Sequence, residues 1–223
     1  MSFTDPTQVA DYIQRTERIV PGLHDLHKMT ALLLAERTPS AADVLVLGAG
    51  GGLELKALAE RQPHWHFTGV DPSAPMLDLA RTLLGPLGER VTLHEGYIDS
   101  AAKGPFDAAT CLLTLHFLAK DERLRTLREL HRRLKPGAPM VAAHHSFPNQ
   151  GPEQDLWLMR NAAFASPGGR ITKQAANIVA SMKERLPVLS PEQDVALLHE
   201  AGFVDVQLFY CALTFKGWVA YRS

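Results

Sequence analysis

Short apolar runs alternate with amphipathic segments through the middle of the chain. Between residues 43 and 145, each run of mostly β-branched and small apolar residues precedes a stretch in which apolar residues recur at helical spacing. Val44 to Leu47 is the first such run. Strands and helices in alternation predict a parallel sheet with helices on both faces. The pattern therefore predicts a doubly wound α/β fold.

Helical patterns flank this alternating region. Apolar positions such as Val9 and Ile13 predict N-terminal helices over residues 8–37, interrupted at Pro21-Gly22. Two further helices are predicted at 153–165 and 172–186, in a stretch rich in proline and glycine with no strand pattern. We therefore expect a single domain, 1–223, made of an N-terminal helical segment (1–37), a core (38–146 and 190–223) and an inserted helical cap (147–189).

Composition excludes several classes of protein. The chain has 223 residues, of which 46% are hydrophobic and 21% charged, as in globular proteins with a sizeable core. A formal net charge of −1 argues against a broad nucleic-acid or membrane surface. Since no apolar stretch approaches a membrane span or a signal core, we expect a cytoplasmic protein. Cys111 and Cys211 fall in predicted strands, where reduced, buried thiols are expected.

A glycine-rich turn follows the first apolar run, with glycines at Gly48, Gly50 and Gly52. Such a turn lets the backbone approach a ligand closely and directs the free N–H groups of the next helix toward it. The dinucleotide fingerprint G-x-G-x-x-G/A fails, because Leu53 stands at its third position. The next apolar run ends in Asp71, whose carboxylate can accept hydrogen bonds from both hydroxyls of a ribose. The spacing favours a nucleotide-type ligand that is not a dinucleotide.

The motifs in this order resemble those of class I S-adenosylmethionine-dependent methyltransferases over nearly the whole chain. The glycine turn is similar to the first motif, and residues 69–80 to the ribose-binding segment. The remaining matches lie at residues 94–100, 106–118, 127–146 and 201–222. The resemblance implies a Rossmann-like, seven-stranded, mostly parallel sheet with an antiparallel C-terminal hairpin strand. It also implies S-adenosylmethionine as the cofactor.

The same resemblance implies which residues contact that cofactor. Asp71 matches the ribose-binding acid, Met76 packs near the adenine, and residues 94–100 lie beside the adenine ring. The implied cofactor-binding residues are Gly48, Ala49, Gly50, Gly52, Asp71, Pro72, Met76, Gly96, Tyr97, Ile98 and Leu113.

Within the family, the chain is most similar to carboxy-S-adenosylmethionine synthases, which are tRNA-modification enzymes. Residues 12–37, the stretch LTLHFL and the C-terminal tail carry this similarity. Four positions depart from the subgroup, where an aromatic, a first-strand acid, a second acid and a fourth-strand asparagine are replaced by Leu23, Val46, Tyr97 and Leu112. The arginine for the extra carboxylate should fall near Ala180 and Ser181, with Arg185 the nearest alternative. We therefore predict an ordinary methyl donor.

Histidines are the candidate catalytic residues. Methyl transfer from a sulfonium is an in-line displacement in which the protein mainly aligns donor and acceptor, although some acceptors also need a base. Ligands of open α/β sheets lie at the carboxyl ends of the strands, where His116, His144 and His145 are expected. Because neighbouring strand residues point to opposite faces, at most one of His144 and His145 faces the site. We favour His116 and His144, and a purely structural hydrogen-bonding role for His116 stays open.

The histidine pairs and the clustered arginines have plainer interpretations. The local pairs His24/His27 and His64/His66 do not close a metal site, so no metal is predicted. The arginines of residues 123–133 interleave with acids and predict a solvated helix face.

Aromatic and charged residues outside the core have two interpretations. Tyr12, Arg15 and Arg18 either close over the cofactor or acceptor, or belong to a solvated amphipathic helix. In the cap, Trp157 and its neighbours Met159 and Phe164 either line an acceptor pocket or pack as core.

The sequence thus predicts a methyltransferase that acts on an unidentified small-molecule acceptor. One alternative is a carboxy-S-adenosylmethionine synthase or tRNA-modification enzyme of the same fold. Another is a non-catalytic S-adenosylmethionine-binding module, which the absence of acids at Val46 and Tyr97 favours. The sequence indicates neither the acceptor nor the oligomeric state.

Overall fold

A seven-stranded sheet forms the centre of the molecule. The computed structural model describes residues 11–169 and 173–223. The strands are β1 (Ala42–Leu47), β2 (Trp65–Asp71), β3 (Val91–Glu95), β4 (Ala108–Leu112), β5 (Pro139–His145), β6 (Phe203–Ala212) and β7 (Phe215–Arg222). Their order is β3-β2-β1-β4-β5-β7-β6, and β7 is antiparallel to both of its neighbours. The predicted fold class is confirmed.

Helices connect and cover the strands. They are α1 (Tyr12–Ile19), α2 (Leu23–Ala35), α3 (Leu53–Arg61), α4 (Ala74–Leu84), α5 (Lys120–Arg133), α6 (Gly151–Ala165), α7 (Lys173–Arg185) and α8 (Pro191–Glu200). The N-terminal helices are interrupted at Pro21-Gly22 as predicted, whereas Val9 lies outside the described residues. Ser190 begins α8 with a complete capping box to Gln193. None of the helices in the described ranges combines the length and apolar character needed to span a bilayer.

The sheet separates two apolar cores. Alternate side chains of β1 point to opposite faces, so Val44 and Val46 pack with α2 and α3, while Leu45 and Leu47 pack in the core that contains α5 and α8. All four of these side chains are buried. The carboxyl ends of the parallel strands therefore meet at one edge, between two fixed layers of helices.

The helix α5 differs from its predicted solvated face. Arg123 and Arg133 are both buried, while Arg125, Arg128 and Arg132 form exposed ion pairs. Arg133 donates hydrogen bonds to the Ala102 and Glu129 carbonyls, so its buried guanidinium still has acceptors. The charge pattern described the exposed arginines correctly and missed the two that point inward.

The cysteines are both free, and Cys111 is buried as expected. Cys211 is exposed, because β6 lies at the edge of the sheet and alternates its side chains between the core and solvent. The expectation of two buried thiols is corrected at this position.

The segment 147–189 contains α6 and α7 and lies beside α1. It leaves the sheet after β5 and returns to it where Ser146 pairs with Leu189. The Trp157 ring of α6 lies 5.6 Å from Lys216 Nζ, at the start of β7. Since Lys216 is paired with His144 at the end of β5, α6 reaches the carboxyl edge of the sheet.

Candidate active site

The glycine turn joins β1 to α3 and is shaped by its neighbours. The backbone N–H groups of Gly48 and Ala49 both donate to the Val70 carbonyl of β2, at 2.8 and 3.1 Å. Gly52 has a φ of 74°, and a Cβ added there would lie 2.8 Å from the Ala80 Cα. A side chain at this position would force α4 away from the turn, so the turn depends on glycine to hold this approach.

Asp71 ends β2 directly beside that turn. Its carboxylate accepts hydrogen bonds from Gly50 N at 3.0 Å and from Ser73 N at 2.9 Å. Burial raises the pKa of this carboxyl, and the two backbone N–H groups offset part of the rise. A Cβ at Gly50 would lie 2.7 Å from Asp71 Oδ2, so glycine is required for this contact. The structure thus brings together the two strongest predictions from the sequence, the glycine turn and the acid.

The predicted adenine-side residues follow the next strand. Gly96 donates its N–H to the Asp71 carbonyl at 3.0 Å, which ties the end of β3 to the end of β2. Ile98 and Met76 are buried, whereas Tyr97 is 65% exposed and Pro72 is also exposed. The Gly51 N–H donates a hydrogen bond to the Met76 carbonyl at 2.9 Å, so Met76 lies behind the glycine turn. These residues line one continuous edge with Asp71.

The N-terminal helix α1 covers the other side of the turn. A Cβ at Gly51 would lie 2.4 Å from the Tyr12 ring, so that ring rests directly on the turn. Burial raises the pKa of the Tyr12 phenol, and the charges of Asp71 and Glu54 add to the rise. Of the two interpretations of this residue, the structure favours the one in which it covers the site.

A partly open pocket lies against Tyr12. Its lining comes from α1, α2, the glycine turn, the start of α3 and the end of β4, and comprises Tyr12, Thr16, Leu23, His27, Gly48, Ala49, Gly50, Leu53, Glu54, Leu112 and Leu113. Leu113, a predicted site residue, has a φ of 56°, which is rare for a leucine and marks strained backbone at the end of β4. Its N–H donates to the Ala143 carbonyl at 2.6 Å, which holds this conformation.

Two titratable residues of this cavity were missed by sequence reasoning. Glu54 is buried, and burial raises the pKa of its carboxyl to about 8, while the Thr110 hydroxyl lowers it slightly. Burial lowers the pKa of His27 to about 4, so this histidine is neutral at pH 7. Glu54 could have been predicted from two features of the sequence. It lies in the first helical turn after the glycines, and Val46 stands where an acid is usual.

His116 lies in a short 3-10 turn, Leu115–Phe117, just after β4. Its Nδ1 accepts the backbone N–H of His145 at 3.5 Å, and the two imidazole rings are 4.8 Å apart. Burial lowers the pKa of His116 well below its usual range, and the neighbouring histidines add to this effect. A neutral imidazole whose Nδ1 accepts a hydrogen bond carries its proton on Nε2. In this state His116 is a hydrogen-bond donor at Nε2 and not a base.

The structure places His144 on the opposite face of the sheet from His116 and His145. Its Nε2 lies 3.2 Å from Asp194 Oδ2, and its ring lies 5.5 Å from the Trp218 ring. His145 instead stacks on Phe215 and bonds Thr214 Oγ1 at 2.9 Å. The two histidines do face opposite ways, but the preference for His144 is corrected, because β5 presents His145 to the side of α1 and α2.

The described residues provide neither a cluster of metal ligands nor an arginine at the cavity for an extra carboxylate. Among the residues that the structure describes, no group of three or more histidine, cysteine, aspartate or glutamate side chains could hold a metal ion. Arg185 is exposed at the end of α7, and Ala180 is exposed one turn earlier. The described lining of the cavity contains no lysine or arginine.

Known proteins are similar to this chain over part or nearly all of its length. A family model described as "Methyltransferase domain" matches residues 44–137. The carboxy-S-adenosyl-L-methionine synthase of Chromohalobacter salexigens is 28% identical over 225 residues, which cover 98% of this chain and 83% of that protein.

Solved structures support the fold. The CurJ carbon methyltransferase superposes with a TM-score of 0.69 at 16% identity, over 98% of this chain and 61% of that one. An O-methyltransferase family 2 protein from Planctomyces limnophilus gives a TM-score of 0.61 at 16% identity, over 90% of this chain and 62% of that one. This chain therefore spans less than two thirds of the length of these two structures, and the likeness concerns the fold alone.

Proposed function

The chain belongs to the class I S-adenosylmethionine-dependent methyltransferases, and we propose that it transfers a methyl group to a small-molecule acceptor at the carboxyl edge of the sheet. The observation that carries this proposal is the contact between the glycine turn and the acid that ends β2. Gly50 N donates to Asp71 Oδ2, and the remaining acceptor capacity of this carboxylate points to the ribose hydroxyls of the cofactor.

S-adenosylmethionine supplies both the electrophilic methyl group and its leaving group when bound. The work left to the chain is binding and alignment. Asp71 holds the ribose, Ile98 and Met76 provide apolar surface for the adenine, and the cavity under Tyr12 receives the amino-acid end. The predicted contacts of Gly48, Ala49 and Leu113 belong to this cavity.

The acceptor side is bordered by His116 and the cap helix α6. We assign to His116 a positioning role, since its Nε2–H can donate a hydrogen bond to an acceptor atom. Three large apolar side chains of α6 are nearly half-exposed, namely Leu156, Met159 and Phe164. Such a surface favours a partly apolar small molecule over a nucleic acid, as does the net charge of −1. We place the protein in the cytoplasm, where both free thiols remain reduced.

Carboxy-S-adenosylmethionine synthesis is the second candidate, and the names of the curated relatives favour it. The position of Arg185 argues against it, because this arginine is exposed at the end of α7. Mass spectrometry of the ligand that copurifies with the protein distinguishes the two, because an extra carboxylate adds a defined mass.

Calorimetric titration with S-adenosylhomocysteine tests the proposal. We expect binding by the natural protein and about 10- to 100-fold weaker binding by Asp71→Ala, since a hydrogen bond to a charged group is lost. Asp78→Ala is the matched control, because Asp78 lies exposed on α4 and pairs only with Arg81. A natural protein that binds neither S-adenosylmethionine nor S-adenosylhomocysteine would refute the function.

A further inference from the structure

Glu54 is a buried acid with no counterion among the residues that the structure describes. Its side chain is 8% exposed, and Oε1 makes no hydrogen bond within the part of the chain that the structure describes. None of the ion pairs among the described residues involves it. Burying a carboxyl that has no counterion and one unbonded oxygen costs free energy, which packing alone does not explain.

The position of Glu54 relates it to the missing acid of the first strand. Val46, where the resembling family usually has an acid, is paired with Thr110 in the register of β1 and β4. The Thr110 hydroxyl lies beside the Glu54 carboxyl, and Thr110 Oγ1 is itself buried without a hydrogen bond. The carboxyl of α3 therefore occupies the space around the position from which the strand acid is absent.

The positions of Asp71, Gly50 and Glu54 determine which part of a bound nucleoside each residue meets. Gly50 bonds Asp71 on one side and lines the cavity with Glu54 on the other. A nucleoside whose ribose is bound by Asp71 thus extends its 5′ substituent across Gly50 toward Glu54. The Tyr12 ring covers this path, since it lies on the glycine turn at Gly51 and lines the same pocket as Glu54.

The cavity itself offers no positive charge to Glu54. Its described lining has no lysine or arginine, and His27 is neutral at pH 7. A cation brought by the ligand would supply the counterion that the ionised carboxyl lacks. In S-adenosylmethionine and S-adenosylhomocysteine alike, the 5′ substituent ends in an α-ammonium group, which has three N–H donors.

We propose that Glu54 binds the α-ammonium group of the cofactor, in place of the acid that Val46 removes from the first strand. The inference rests on the proposed function, because it assumes that the cofactor occupies this cavity. It adds to that function a specificity determinant for the amino-acid end, supplied by a helix and not by a strand.

A change of protonation accompanies this contact. In the free protein the carboxyl has a pKa of about 8, so most of it carries a proton at pH 7. An ammonium beside the carboxyl favours the ionised form, so ligand binding transfers this proton to the solvent. The ligand keeps its own proton, and the products are a carboxylate–ammonium pair and one released proton.

Two ligands and one substitution test the proposal. Titration calorimetry compares S-adenosylhomocysteine with 5′-methylthioadenosine, which keeps the adenosine and the sulfur but lacks the amino-acid end. For Glu54→Gln we expect about 10- to 100-fold weaker binding of S-adenosylhomocysteine and an unchanged affinity for 5′-methylthioadenosine. Glu60→Gln is the matched control, because Glu60 lies exposed on the same helix and pairs with Lys56.

Proton release provides a readout that a structural role would not produce. Titrations at pH 7 in two buffers of different ionisation enthalpy should give nearly one proton released per S-adenosylhomocysteine for the natural protein. No proton should be released by Glu54→Gln, or by either protein with 5′-methylthioadenosine.

The outcomes separate this inference from the proposed function. If the natural protein binds neither ligand, the proposed function fails. If it binds both, the inference is overturned by unchanged S-adenosylhomocysteine affinity in Glu54→Gln, by equal weakening of both ligands, or by the absence of proton release. Binding of 5′-methylthioadenosine to the variant also reports that the variant is folded.

Discussion

Arg123 of α5 and Asp194 of α8 form an ion pair 2.5 Å long whose side chains are 0% and 2% exposed. The guanidinium also donates to the Pro187 carbonyl at 3.0 Å. Burial raises the pKa of Asp194, but the charges and hydrogen bonds of His144, Arg123 and Ser146 outweigh burial and leave the pKa lowered. The pair thus joins two helices and the end of the cap segment to β5.

Replacing Asp194 with alanine should destabilise the protein strongly. Removal of one partner leaves the Arg123 charge buried and unpaired, for which the expected loss is about 3–5 kcal/mol. Urea unfolding followed by circular dichroism measures the change. Glu200→Ala is the control, because Glu200 lies on the same helix and forms an exposed pair with Arg128 that contributes at most about 1 kcal/mol. Equal losses in the two variants would show that the buried pair contributes no more than a surface one.

The same aspartate predicts a loss of stability in acid. Since the pKa of Asp194 is lowered on folding, its contribution is present above the unfolded pKa and is lost as the pH falls through the folded pKa. The stability difference between the natural protein and Asp194→Ala should therefore begin to shrink below about pH 4, the unfolded pKa, and continue to shrink toward the lower folded pKa. A difference that stays constant down to pH 2 would contradict the lowered pKa.

The contribution of Glu54 to stability should depend on pH in the opposite direction. Its pKa is raised to about 8 on folding, so its contribution to stability is present below its unfolded pKa and is lost as the pH rises through the folded value. Glu54→Gln should remove this loss and be more stable than the natural protein by up to about 3 kcal/mol at pH 7. Urea unfolding at pH 5, 6.5 and 8 measures the slope. If Glu54→Gln and the natural protein show parallel pH profiles, the carboxyl is not buried in the way described.

Substitution of Gly50 by alanine should impair cofactor binding more than stability. The added Cβ would meet Asp71 Oδ2 at 2.7 Å, and the carboxylate can move away without displacing backbone. We expect about 10-fold or greater weakening of S-adenosylhomocysteine binding by calorimetry, since Asp71 loses both its position and its Gly50 hydrogen bond. Gly88→Ala serves as the control, because the nearest atom to its Cβ would be 3.9 Å away, in ordinary contact. Unchanged affinity in Gly50→Ala would indicate that the cofactor does not depend on the position of Asp71.

His116 and His145 should both stay neutral from pH 8 to pH 5. Burial lowers the pKa of His145 to about 3 and that of His116 well below its usual range. Long-range ¹H–¹⁵N spectra should show His116 with its proton on Nε2, with the signals assigned from His116→Asn and His145→Asn. Protonation of His116 near pH 6.5, or a proton on Nδ1, would restore its candidacy as a base and contradict the donor role.

Local patterns predicted the parts of the fold that depend on neighbours in sequence. The strand at Val44 lies where its apolar run predicted it, and the serine caps at Ser73 and Ser190 are equally local features. Each is determined within a few residues, by side-chain alternation or by a hydrogen bond to the next turn. The glycine turn and Asp71 were predicted together because the family motif spans both.

Pairings between distant residues could not be predicted in this way. Arg123 is buried because Asp194, 71 positions later in the chain, faces it across the helix layer. Strand alternation showed that His144 and His145 diverge, but not which of them meets α8, since that depends on how the helices pack. The same holds for Glu54, whose burial follows from the packing of α1 and α2 over the start of α3.

The pairing of Ser146 with Leu189 determines how the cap segment is attached to the core. The chain leaves the core and re-enters it at one point, where Ser146 Oγ and Phe147 N both donate to the Leu189 carbonyl. An excursion with coincident ends can lengthen, shorten or be exchanged while the register of every strand is preserved. The cap segment is thus attached to the core at one point, so a change in its length would leave the glycine turn and Asp71 in place.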